Sequence, residues 1–122
     1  MVTKAMFDEI KVLRGKVARL EAVKASKIYS SICAVLLKQY EEDLASMWDL
    51  VHLSFEGVDY DVSKTIELYY YWGLKVDEIS EYFFRSTKTP ATVRKIITNF
   101  LINLNIKNQH GLPPISRSAK EQ

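Results

Sequence analysis

Arg94, Lys95 and Asn99, with Thr89 and Thr92 before them and Arg85 and Lys88 upstream, are the side chains best suited to hold another molecule. A guanidinium and an ammonium meet phosphate oxygens with charge-assisted hydrogen bonds. Threonine hydroxyls and an asparagine amide bond to neutral groups. All seven lie in a run from Tyr82 to Lys120 that contains no Asp or Glu. The same run collects Arg85, Lys88, Arg94, Lys95, Lys107, Arg117 and Lys120. Basic and acidic residues number seven and three in 1–30, three and eleven in 31–81, and seven and one in 82–122. The net charge of +2 therefore hides a basic start, an acidic middle and a basic final third. A segment that excludes carboxylates suits a polyanion, because each carboxylate near a phosphate costs binding free energy. The alternative is a basic tail that only keeps an ordinary domain soluble.

Other chemistry finds little support. The two histidines, His52 and His110, have no partners at a metal-binding spacing beyond the pair His52 and Glu56. There is no glycine-rich phosphate loop, no nucleophile-elbow motif and no paired-carboxylate signature. No catalytic residue, metal ligand or cofactor site is assigned, and an enzyme is not expected. The single cysteine, Cys33, excludes an internal disulfide and a cysteine-based zinc site, and is expected to be buried by packing in an apolar helical run. Glu41, Glu42 and Asp43 read as a solvated acidic face.

The elements that must position these residues read as helices. Met6, Ile10, Leu13, Val17 and Leu20 recur at 4-3-4-3 spacing, the seam of a short coiled coil over residues 4–28 with Thr3 as its cap. Flanking Lys11, Arg14, Lys16 and Arg19 narrow the stripe. The seam can pair with a second chain, giving a homodimer, or pack on the rest of its own. Residues 28–55 continue a 3–4 residue period. Gly57 opens a loop, and a third helix follows with Asp61 or Ser63 as cap and Gly73 as its stop. A short fourth helix runs through Val76, Ile79, Tyr82 and Phe83. Thr89 and Pro90 then open a fifth over about 90–106, since proline at the first helical position lacks an N–H that would be unpaired anyway.

The segment 61–106 resembles the helix-turn-helix units of sigma-factor-like and small phage or plasmid regulators. The resemblance rests on Gly73-Leu74-Lys75-Val76-Asp77-Glu78-Ile79-Ser80, which matches a glycine–hydrophobic–x–x–Glu–Ile–small phrase. It implies that Ser80 lets two helices approach closely and that Val93 and Ile96 are core residues of a recognition helix. Two features depart from the pattern. Phe84 stands where the turn glycine is expected, and the turn Arg85–Thr89 is about three residues longer. On this reading Arg94 and Lys95 meet guanine or phosphate, Asn99 meets adenine, and Arg85 and Lys88 hold flanking phosphates.

The sequence thus predicts an all-α chain of about five helices. Residues 1–56 form a helical arm that dimerises through Met6, Ile10, Leu13, Val17 and Leu20. Residues 57–106 form a helix-turn-helix-like unit, and 107–122 a flexible basic tail. The expected function is DNA binding by a small intracellular, cytoplasmic or nucleoid-associated regulator. The alternative is a non-enzymatic helical adaptor or inhibitor that binds a protein through Tyr69-Tyr70-Tyr71-Trp72 and the acidic middle. No membrane-spanning segment is expected, because no run of about 18 uncharged apolar residues exists.

Overall fold

The computed structural model of the chain describes residues 1–26 and 28–110. Within them the fold is all-α, with five helices and no strand. Helix α1 spans Lys4–Ala22 and α2 spans Ser31–His52, followed by a tight turn, Leu53–Phe55. Helix α3 is Tyr60–Ile66, widening into a π-helical turn over Glu67–Tyr71. Helix α4 is Val76–Glu78 and widens in the same way over Ile79–Phe83. Helix α5 runs Pro90–His110, longer than predicted. The rest of the expected tail, from residue 111, lies outside the described residues. None of the described helices is long and apolar enough to cross a membrane.

The N-terminal seam is used inside the chain. Ile10, Leu13 and Val17 are buried, and Met6 and Leu20 pack at the margin of the same core. The seam expected at a homodimer interface therefore faces α2 and the aromatic end of α3. The physical reason is Phe7, which shifts the buried face of α1 to Phe7, Ile10, Leu13 and Val17. Its fully buried ring lies 5.2 Å from Tyr70, 5.7 Å from Phe100 and 6.3 Å from Phe55. One side chain thus joins residues on both sides of the expected boundary near 56, and the N-terminal helices are not an arm. Trp48 extends this cluster, 5.6 Å from Phe55 and 4.9 Å from Tyr71. The ammonium of Lys11 sits 3.4 Å from the Tyr69 ring centroid, a cation–π contact that also holds α1 to α3.

Several caps differ from expectation. Thr3 occupies the cap position of α1, but its hydroxyl makes no cap bond. The cap of α3 is Asp59, not Asp61 or Ser63; the Ser63 hydroxyl donates back to the Tyr60 carbonyl. Ser30 caps α2 by accepting the Cys33 N–H at 3.3 Å. Cys33 is consequently held at the helix start, half-buried and outside the core. Hydrogen bonding by Ser30, backbone first and then side chain, holds its thiol below the ordinary cysteine range.

Candidate nucleic-acid interface

Helices α3 and α4 end in the same way. The Leu74 N–H crosses Gly73 to reach the Leu68 carbonyl at 2.9 Å, and the Ser86 N–H crosses Arg85 to reach the Ser80 carbonyl at 2.8 Å. Gly73 has φ +77, and Arg85, in the equivalent place, has φ +50. Ser86 follows at φ +64. A left-handed conformation costs an L-residue on the order of 1–2 kcal/mol, which glycine avoids. The glycine expected at position 84 is thus displaced. Phe84 keeps a negative φ and is buried, while the reversal passes to Arg85 and Ser86.

Ser80 governs this turn. It is buried, its carbonyl accepts the Ser86 N–H, and its hydroxyl donates to the Lys88 carbonyl. The Thr87 hydroxyl closes the turn by donating to the Phe84 carbonyl at 2.6 Å. Beyond it, Thr89 caps α5: its hydroxyl accepts the Thr92 N–H at 3.2 Å and lies 3.0 Å from the Thr92 hydroxyl. Val93 is fully buried, as is Ile79 on α4, with Phe83 and Ile96 packed at the edge of the core. Ile97, Phe100 and Leu104 continue the buried face of α5.

The seven predicted contact residues separate into groups. Arg85, Arg94 and Lys95 are exposed and make no salt bridge among the described residues. Intramolecular neutralisation by the acidic middle, which would have occupied them, is not observed there. Thr89 and Thr92 are engaged mainly with each other, so their first role is to start the helix. Lys88 is half-buried, with its ammonium 5.6 Å from the Phe84 ring. It lines a depression shared with Asp59, Asp61 and Ile96. Asn99 lines a neighbouring depression with Asp59 and Asn103. A phosphate approaching Lys88 or Asn99 therefore meets the carboxylates at the start of α3; Arg94 and Lys95 line neither depression. Sequence reasoning passed over Thr98, exposed one turn beyond Arg94 and Lys95; the i+3 and i+4 spacing of one helix face identifies it.

The outward face of α5 changes character along its length. Ala91, Arg94, Lys95, Thr98 and Asn99 are polar or small and exposed, whereas Ile102 and Ile106 farther on are 51% and 45% exposed. The first half therefore presents a continuous polar patch, whereas beyond it Ile102 and Ile106 interrupt the exposed Asn103, Asn105 and Lys107.

The aromatic run is mostly core. Tyr70 is buried, which raises its phenol to about 12; desolvation is the main cause, with smaller contributions from Asp8 and Tyr69. Tyr69 and Tyr71 are half-buried. Trp72 alone is largely open, its indole N–H donating to Glu67 at 2.9 Å. His52 is exposed, its ring edge-on to Trp48 and Phe55 at 6.0 and 5.4 Å. No group of three or more potential metal ligands gathers among the described residues. Comparison with protein-family models, with curated proteins and with solved structures gives no significant match.

Proposed function

We propose that this protein binds duplex nucleic acid through the first turns of α5, with Arg94 and Lys95 as principal contacts and Arg85 as a flanking phosphate ligand. One observation carries the reading: these three cations are exposed and without salt bridges among the described residues, within a carboxylate-free stretch at a capped helix start. A helix start adds the positive end of its dipole to the attraction for phosphate. Thr98, the uncharged group one turn beyond the cations, is suited to base edges or sugar oxygens, while Asn99 shares its surface with Asp59. Lys88 is a weaker contributor because Asp59 and Asp61 share its surface.

The reading has a quantitative signature. If Arg85, Arg94 and Lys95 each neutralise one phosphate and Lys88 adds up to one more, log K falls against log salt with a slope of about −2.7 to −3.6. Affinity then drops roughly 40- to 150-fold between 50 and 200 mM salt. Fluorescence anisotropy on a labelled random duplex, titrated across that salt range, tests this. A slope between about −2 and −4 supports the reading. Absence of binding at the lowest salt overturns it.

A further inference from the structure

The face of α2 that points away from the core is apolar at both ends. Leu37, Leu44 and Val51 face inward and are 5%, 3% and 0% exposed. On the opposite side Ile32, Val35 and Leu36 are 70%, 68% and 40% exposed, and Leu50 and Leu53 are 52% and 72% exposed. At 100° per residue, Ile32, Val35, Gln39, Ser46, Leu50 and Leu53 form one stripe, polar only at its middle. Scattered surface leucines are ordinary, but a helix with two apolar faces has a second surface to cover. The two apolar clusters stand about 25 Å apart along the helix axis, at 1.5 Å per residue.

Between the clusters the stripe is bordered by carboxylates. Glu42 lies on one side, Asp43 on the other, and Asp49 near the second cluster; all three are exposed. None of them forms a salt bridge among the described residues, and Asp43 accepts only the Gln39 amide at 2.9 Å. This charge pattern selects the occupant. A second copy packing antiparallel on the same stripe, apolar end against apolar end, would set Glu42 and Asp43 against their own counterparts, an unfavourable like-charge pairing. We infer that α2 docks a basic amphipathic helix of another protein, apolar at both ends and carrying Lys or Arg at its centre, about 20 residues long. This surface is on a different helix from the cations of α5, and the inference does not depend on nucleic-acid binding.

The test uses the full chain and two synthetic labelled helical peptides of about 20 residues, spanning the stripe. Both carry leucines on one face at each end; one has lysines in its central turns and the other glutamates. The lysine peptide is expected to bind saturably, and the glutamate peptide about tenfold or more weakly, by fluorescence anisotropy. Val35→Asp and, independently, Leu53→Ser should each weaken the lysine peptide about tenfold while melting with the parent, since both sites are exposed. Three results overturn the inference. One is no saturable binding, or equal binding of both peptides. Another is indifference to both substitutions in chains that remain folded. The third is a parent chain that sediments as a dimer and becomes monomeric on Val35→Asp, which would make the occupant a second copy.

Discussion

Arg85→Gly should make the protein more stable and its nucleic-acid binding weaker. Arg85 stands at φ +50, in the position that Gly73 fills at the equivalent end of α3. Relief of the left-handed strain is worth about 1–2 kcal/mol. The greater freedom of glycine in the unfolded chain returns about 0.5–1 kcal/mol of that. No salt bridge is lost among the described residues, so the expected net gain lies between about 0 and 1.5 kcal/mol, raising Tm by a few °C. The same change removes one phosphate ligand, so the salt slope of duplex binding should become shallower by about one unit. Thermal unfolding by circular dichroism and a salt titration by anisotropy read the two effects separately. A less stable variant would refute the strain argument. A variant with raised Tm and an unchanged slope would remove Arg85 from the interface, leaving a strained arginine with no compensating role.

Other perturbations probe the frame. Leu13→Glu combined with Val17→Glu should abolish cooperative folding, because both positions are core; a folded variant by circular dichroism would put the seam back on the surface. Ser80→Ala leaves the Lys88 carbonyl without its hydroxyl donor and should cost about 1–2 kcal/mol in urea unfolding, where a cost near zero would mean the turn holds itself. Tyr70 is raised to about 12, above its unfolded value near 10, so its contribution is fully present below about pH 10 and lost as pH rises towards 12. Tyr70→Phe should therefore reduce the alkaline loss of stability between those limits, and an unchanged alkaline profile would contradict the burial argument.

The helices are legible where period and punctuation agree. Gly73 reads as a stop and sits at positive φ; Thr89 and Pro90 read as a start and begin α5. Ile79 and Val93, read as core residues, are both fully buried. What the seam packs against is not legible, because a 4-3-4-3 stripe looks the same whether its partner is another chain or α2. Phe7, one residue off the seam, decides it through long-range aromatic contacts that no local pattern encodes. The left-handed Arg85 and Ser86 are also invisible in sequence, since the length of the turn is readable but its conformation follows from bonds to Ser80. Within the candidate site, sequence places Lys88 and Asn99 beside Arg94 and Lys95. Folding brings them beside Asp59, a residue about thirty to forty positions earlier in the chain. The outward stripe of α2 is hidden for the opposite reason: its apolar residues merge with the core period of the same helix.

The most direct measurement is duplex binding by the charge-reversed pair Arg94→Glu with Lys95→Glu, compared with the parent chain at low salt. Both side chains are exposed and make no salt bridge among the described residues, so the variant should keep its circular dichroism spectrum and its Tm within a few degrees. The account predicts that the parent binds a random duplex with a salt slope of about −2.7 to −3.6 and that the variant shows no measurable binding at about 50 mM salt. A parent that ignores DNA and heparin at that salt would contradict it. So would a folded variant that binds as tightly as the parent.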